Sequence, residues 1–493
     1  MSAAARRVRR ATRYLAATDG TLIGRSAGIR PSELDRTMLR LSRSANHSLL
    51  WCAVSAALVA KGDGSRRGAV RGLLAVAGAS ALANGVLKPV FPRRRPPVET
   101  MPVVRRLLHP PTSSSFPSGH SASAAAFATG VALESPVAGA VIAPLAAAVA
   151  YSRVHVGVHW PSDVLVGAGV GAAVGLGTRR WWAVRAEDPA ALGRRVELPA
   201  LPDGRGLSVF VNPSSGAADD DPAVELRELL PAARTVEIDT DRDLMEQLDA
   251  AVDAEAPSAL GISGGDGTVQ AVAQVAIRHG LPLAVLPGGT LNHFARDAGV
   301  VEVAGTAKAV SGGQAELIDT AEVTIDGQSS TVFLNTASIG GYPDSVQLRE
   351  KLQHRMGKWP AAALAMFRVL QRAAPLELEL DGKRVAVWMV FVGNGRYVPA
   401  DQVPMSRATL CQGTIDVRYL RADTRASRTR LLFAAATGTL GGSPTYVQRS
   451  VTEMTLQVLG DPVTLATDGE VIGQGRRFAF RSRPESLAVY SQP

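Results

Sequence analysis

The sequence predicts a multidomain chain: an all-α helical bundle suited to a membrane, then an α/β open-sheet lobe, then an antiparallel β lobe. Three observations carry this. A chain of 493 residues is longer than one hydrophobic core organises. Residues 68–87, 120–133, 137–151 and 164–177 are nearly uncharged, rich in Ala, Val, Gly and Leu, and of helical length. Beyond residue 205 the pattern changes to strand, glycine turn and helix, and beyond 320 to apolar/polar alternation with Asp-Gly turns. The expected boundaries are a basic N-terminal segment at 1–46, a helical membrane domain at 47–182, a linker at 183–204, a nucleotide-binding α/β lobe at 205–319 and a β-rich lobe at 320–493.

Composition narrows the class. The net charge is +9, with arginine concentrated before residue 110 beside apolar segments, and no nucleic-acid motif accompanies it. Attraction to anionic lipid headgroups accounts for such arginines. The N-terminal stretch is basic but has no apolar run of signal-peptide length. Cys52 and Cys411 make neither a disulfide framework nor a thiolate metal site. Several apolar segments are shorter than the roughly 20 residues that span a bilayer, which leaves a soluble helical bundle as the alternative. Their crowding with Gly, Ala and Ser favours close helix packing inside a membrane.

Within the first part, three polar clusters occur in fixed order: KPVFPRRRP at 88–96, PSGH at 117–120 and SRVHVGVHWPSD at 152–163. A phosphate ester needs several donors at once. Lys88 offers a point charge, and Arg95 and Arg153 offer planar forks. Ser118 and Gly119 precede an apolar helix, where free backbone N–H groups face an anion. His120 and His159 are placed for nucleophile and proton donor. Asp163, four residues after His159, shares its face on a helical turn and can fix the imidazole tautomer.

This pattern resembles the type 2 phosphatidic acid phosphatase family, which shares its motif with vanadium haloperoxidases. The resemblance implies that His159 attacks phosphorus to form a phosphohistidine, Asp163 orients it and His120 protonates the leaving oxygen. It also implies that Lys88, Arg95, Ser118, Gly119 and Arg153 hold the phosphoryl oxygens, with no cofactor. His155 falls at no position the family uses for chemistry and reads as structural.

In the second half, the strand LSVFV at 207–211 ends in NPSSG, ALGIS at 259–263 ends in GGDGT, and LPLAVL at 281–286 ends in PGGTLNHFARD. Three glycine turns at successive strand ends of an open parallel sheet converge on one ligand, and helix N-termini there suit phosphates. GGDGT with PGGTLNHFAR resembles the diacylglycerol kinase catalytic family, which includes sphingosine kinases and bacterial lipid kinases. FLNTASIGG at 333–341, VGNGRY at 392–397, GTIDV at 413–417 and DGE at 468–470 follow in the family's order. The resemblance implies ATP binding by Asn212, Pro213, Ser214, Ser215, Gly216, Gly264, Gly265, Asp266, Gly267, Thr268 and Thr290. Asp266 would lie near the phosphates and Mg2+, and Glu470 would be the base that deprotonates a lipid hydroxyl.

Three departures stand out. Gln270-Ala271 replaces the family's Asn-Glu, His293 follows Asn292 where the family has Asp, and Gln412 precedes Gly413 where a magnesium-site Asp is usual. No metal ligand is therefore assigned. A helical stretch at 345–373, apolar on one side and basic on the other, reads as a packed helix or a membrane-surface one.

Two readings follow. One is a bifunctional membrane lipid enzyme that hydrolyses a lipid phosphate and phosphorylates a diacylglycerol-like hydroxyl with ATP. The alternative keeps the phosphatase, acting on a lipid or polyprenyl pyrophosphate, beside a non-catalytic lipid- or nucleotide-binding module. A soluble NAD kinase fused to an anchor shares GGDGT but not GTLNHFAR or the late DGE. ATP is cytosolic, so the kinase is expected in the cytoplasm. Four or five spans in the plasma membrane would then place the phosphatase site outside. Arg93, Arg94, Arg95, Arg105 and Arg106 then fall outside, against the positive-inside rule.

Overall fold

The computed structural model describes residues 3–61, 63–182, 184, 189–213, 222–288, 293–300, 302–340, 374–402, 404 and 406–491. The stretch 345–373 lies outside them. The chain forms two compact units, residues 1–185 and 186–493.

The first unit is helical: α1 (Ala3–Ala27), α2 (Glu33–Ser44), α3 (Leu49–Lys61), α4 (Asp63–Ser80), α5 (Lys88–Val90), α6 (Gly119–Glu134), α7 (Pro136–His155) and α8 (Pro161–Gly177). A π-helical turn, Ala81–Leu87, joins α4 to α5. Ser65–Val90 and Pro136–His155 are long and apolar enough to cross a membrane, whereas α3, α6 and α8 have 13, 16 and 17 residues.

Helix starts explain several of the polar residues. Ser118 caps α6 by accepting from the Ser121 amide, and Ser135 caps α7 ahead of Pro136. Asp163 sits in the first turn of α8 and accepts from the Trp160 amide at 3.0 Å. Proline at the first helical position and an oxygen acceptor for free amides both define a helix N-terminus.

Helix α6 packs against α4, α7 and α8. Small residues set the spacing: a side chain at Gly171 would collide with the Ala122 carbonyl, and one at Gly167 with the Ser118 carbonyl. That brings the α8 backbone onto the PSGH turn. The core around it holds Trp51 and Phe127, with ring centroids 4.9 Å apart, together with Val76, Val131, Ile142 and Val149. Val137, Val141 and Leu165 are more than 70% exposed.

The second unit starts with β1 (Arg195–Glu197), β2 (Leu207–Val211), α9 (Pro222–Leu229), β3 (Arg234–Glu237), α10 (Leu244–Glu255), β4 (Ala259–Gly264), α11 (Asp266–His279), β5 (Leu283–Pro287), α12 (His293–Asp297) and α13 (Val303–Gly312). The strand order β3-β2-β4-β5 is parallel. The expected open α/β sheet is thus present.

The remainder is β6 (Gln314–Ile325), β7 (Ser330–Phe333), β8 (Thr336–Gly340), β9 (Leu376–Leu380), β10 (Lys383–Asn394), β11 (Tyr397–Val398), β12 (Ser406–Arg407), β13 (Ile415–Arg421), the helix α14 (Ser427–Thr437), β14 (Tyr446–Val451), β15 (Glu453–Val458), β16 (Val463–Thr467), β17 (Glu470–Gly475) and β18 (Arg477–Tyr490). Except for the isolated β11–β12 pair, these strands continue the same sheet.

The α/β and antiparallel lobes are therefore not built on separate sheets. Strand β18 pairs antiparallel with β6 along most of its length and parallel with β5 at Val489 and Leu283. Its first half sends Phe478 and Phe480 into the antiparallel core. Beyond the register break at Arg483/Leu487, Leu487 and Val489 enter the α/β core.

Candidate active sites

In the first unit, the three polar clusters meet at one end of the bundle. The Ser118 amide donates to the Asp163 carbonyl at 2.9 Å, which ties the PSGH turn to the start of α8. His159 is 2% exposed. Its Nδ1 lies 3.7 Å from Asp163 Oδ2, and its Nε2 lies 3.3 Å from Arg95 Nη1. Arg95 is held by the carbonyls of Ser113, Ser114 and Val158. The charges of Lys88, Arg95 and Arg153 all reach His120. Lys88, on α5, is half-buried and faces Arg95 and Arg153. All eight predicted residues of this cluster belong to one neighbourhood.

Burial pushes the His159 imidazole down to about 4, with Arg95 and Arg153 acting in the same direction and Asp163 against them. A cation is costly in a buried site already crowded with guanidinium groups. The ring is therefore neutral at physiological pH, with a lone pair available.

Several partners of this cluster went unread in the sequence. Arg93 donates to Asp163 Oδ1 at 2.6 Å and to Asp19 on α1 at 2.7 Å. Arg153 donates to the hydroxyl of Ser42 on α2, and His120 Nε2 lies 2.9 Å from Asn46 Oδ1. Asp35 on α2 receives both Arg105 and His155 at 2.7 Å, which gives His155 the structural place expected of it. Arg93 and Arg105 are thus neutralised locally by carboxylates. At the opposite end of α4, α6 and α8, buried Arg71 pairs with Glu134 and bonds to Thr178 and the Trp182 carbonyl.

In the second unit, Asn212 follows β2 and donates from Nδ2 to Thr268 Oγ1 at 3.0 Å, which links the first strand end to GGDGT. Gly264 ends β4, Gly265 caps α11, and Asp266, Gly267 and Thr268 form its first turn. The Asp266 carboxylate accepts from the amides of His293 and Phe294, each at 3.2 Å. Glu470 lies over the same turn, with its Cγ 2.7 Å from where a Gly267 Cβ would stand. A side chain at 267 would push Glu470 away from this position. Ser214, Ser215, Gly216 and Thr290 lie outside the described residues, and Pro213 follows Asn212 in a turn.

The DGE turn is locked by its aspartate. Asp468 accepts from the amides of Leu334, Asn335 and Thr336 at 2.7–2.8 Å, all in FLNTASIGG. Arg407, unremarked in the sequence, is a buried hub: it pairs with Asp297 and donates to the Leu334 and Asn394 carbonyls and to Asn335 Oδ1. Nothing in PMSRAT announces this, because every partner but Asn394 is 72 or more positions away along the chain.

The departures also have places. Gln270 is buried and bonds to the Val332 carbonyl and Thr467. Gln412 Oε1 accepts from the Arg396 amide. Both oxygens of Asp319 accept backbone amides, from Gly413 and Glu485. Among the described residues no group of three or more His, Cys, Asp or Glu side chains is arranged to hold a metal. Asp266 suits an Mg2+ carried by nucleotide phosphates, which uses one or two protein carboxylates. No second magnesium is assigned beside Gln412, whose side chain brings no negative charge to such an ion.

The class defined by these folds and sites is a phosphatase-like helical unit followed by a lipid-kinase-like one. Residues 69–187 match the PAP2 superfamily and residues 206–323 match the diacylglycerol kinase catalytic domain. The chain belongs to the diacylglycerol kinase catalytic family and carries a PAP2 domain ahead of that catalytic domain. A Pseudomonas putida protein named "Probable lipid kinase YegS-like" is 30% identical over 243 residues, 46% of this chain and 75% of the relative. The Synechocystis protein sll0036 is 23% identical over 265 residues, and the match takes in 50% of this chain and 58% of the relative's length. Among solved structures, Aquifex aeolicus LpxE aligns with a TM-score of 0.27 and 27% identity, over 32% of this chain and 91% of that one.

Proposed function

We propose that the chain is a two-site membrane lipid enzyme: a lipid phosphate phosphatase acting through a phosphohistidine, joined to an ATP-dependent kinase of a diacylglycerol-like lipid. The observation that carries the first half is the orientation of His159. Its Nδ1 faces Asp163 and its Nε2 faces Arg95, so the nucleophilic nitrogen lies on the side where phosphoryl oxygens would be held.

In this reading the Nε2 lone pair attacks phosphorus and the bond from phosphorus to the lipid oxygen breaks. His120, kept protonated by the negative charge of the bound phosphate, gives its proton to that oxygen, and water then cleaves the P–N bond and returns a proton to His120. Lys88, Arg95, Arg153, Ser118 and Gly119 hold the phosphoryl group. The 3.7 Å gap between His159 and Asp163 is of the kind that closes when substrate is bound.

For the kinase half, the first turn of α11 receives the nucleotide phosphates, helped by Asn212, Pro213, Ser214, Ser215, Gly216, Gly264, Gly265, Thr268 and Thr290. Mg2+ would supply charge neutralisation on those phosphates, with Asp266 as the carboxylate near it. Glu470 takes the proton of the lipid hydroxyl, with its backbone fixed by Asp468. Exposed Val137, Val141 and Leu165 support insertion in the cell membrane as a multi-pass protein. The Arg71–Glu134 end of the bundle would then be cytoplasmic, with the kinase, and the His159 end extracytoplasmic.

The test is phosphate release from a panel of lipid phosphates beside transfer of labelled phosphate from ATP to the parent lipids. His159→Ala is expected to remove only the first activity and Asp266→Ala only the second. Lipid labelling unchanged by both Asp266→Ala and Glu470→Ala would instead identify the second unit as a binding module.

A further inference from the structure

Four side chains from the first 46 residues reach the phosphatase motifs: Asp19, Asp35, Ser42 and Asn46. All precede the stretch matched to the PAP2 superfamily. Asp19 has the fullest geometry. Its carboxylate is 3% exposed. One oxygen accepts from Arg93 Nη2 at 2.7 Å and from the Ser162 hydroxyl at 2.5 Å, and the other from the Ser162 amide at 2.9 Å. Arg93 Nη1 in turn donates to Asp163 Oδ1 at 2.6 Å and to Ser162 Oγ at 2.7 Å. Arg93 is therefore a fork between two carboxylates, with Ser162 clamped beside both.

We propose that Asp19 is a positioning residue of the phosphatase site: it holds Arg93 in place and offsets its charge, so that Asp163 keeps its negative field on His159. The inference rests on the phosphatase reading above. An arginine bonded to Asp163 alone would fix that carboxylate but also cancel the charge that stabilises the imidazole as it becomes cationic during attack. A second buried carboxylate on the far side of the guanidinium restores the balance. The other charges that act on His159 are cationic, Arg95 and Arg153, and Lys88 lies within the field of both of those arginines. Asp163 is the anion that acts on that ring, and Arg93, bonded both to it and to Asp19, is the point at which a second carboxylate can offset the arginine's charge.

The experiment uses the full chain in detergent micelles, with phosphate release from a short-chain phosphatidic acid followed across pH. Wild-type protein that releases no phosphate would refute the phosphatase reading itself, which is a separate result. With active wild type, Asp19→Asn is expected to lower kcat tenfold or more, keep KM within about twofold, and move the acid limb of kcat/KM to lower pH, because uncompensated Arg93 disfavours protonated His159. Arg93→Gln, which leaves Asp19 as an extra anion, is expected to move that limb to higher pH, and the double variant to bring it back toward wild type. A purely structural role predicts lost activity in step with lost thermal stability and an acid limb that stays put. That result, or wild-type kinetics in Asp19→Asn, overturns the proposal. If Asp19→Asn does not fold, the limb in Arg93→Gln decides in the same way.

Discussion

Gln270 Nε2 donates to Thr467 Oγ1 at 2.9 Å and to the Val332 carbonyl at 2.7 Å. The residue that departs from the family's pattern thus ties α11, which carries GGDGT, to the strand that leads into Asp468-Gly-Glu470. Replacing Gln270 with Leu leaves a buried carbonyl without its donor. The expected loss is about 1–3 kcal/mol of stability in the second unit, measured by denaturant unfolding, with lipid phosphorylation reduced because Glu470 loses its register on Gly267.

The phosphatase acid limb follows His159. With the ring pushed down to about 4, phosphate release per free enzyme is expected to hold through mildly acid pH and fall only as pH approaches 4. The same shift has a stability sign. Between about 4 and 6.5 the unfolded chain binds a proton that the native ring does not, so stability rises with pH across that window. His159→Ala should flatten that slope as it abolishes turnover, which parallel pH titrations of unfolding and activity will check.

Asp35 gathers Arg105 and His155 at 2.7 Å each and caps its own helix at Ser32. Asp35→Ala leaves Arg105 buried without a counter-charge. It is expected to cost about 3–5 kcal/mol, read as a large fall in melting temperature and in folded yield. His155→Gln keeps a donor for Asp35 and should retain phosphate release, in contrast to His159→Gln.

Asp468 accepts three backbone amides with one carboxylate. An asparagine there offers one oxygen in place of two. Asp468→Asn is expected to lower ATP-dependent lipid labelling by about tenfold or more while phosphate release is unchanged, whereas Glu470→Gln should lower kcat with stability kept. Labelling assays paired with thermal melts of both variants separate positioning from chemistry.

What could be read early was local. The clusters at 88–96, 117–120 and 152–163 are runs of unusual residue types between apolar helices, and the glycine turns at 212–216, 264–268 and 287–290 close apolar strands. The caps also sit in the sequence as Ser118 and as Asp163 after Pro161. Asp19, Ser42, Asn46 and Arg407 left no such sign. Each lies in a segment whose own pattern serves another purpose, and each gains its role from a partner 70 or more positions away.

By itself, the sequence determined the two classes of chemistry and the elements that carry them, because periodicity, capping and motif spacing are properties of short stretches. Tertiary structure decided the charge balance. It paired Arg71, Arg93 and Arg105 with carboxylates from distant helices, turned His159 between Asp163 and Arg95, and ran β18 from the antiparallel core into the parallel sheet. A buried charge has to find its counter-charge wherever packing brings one, and only the folded chain fixes which residue that is.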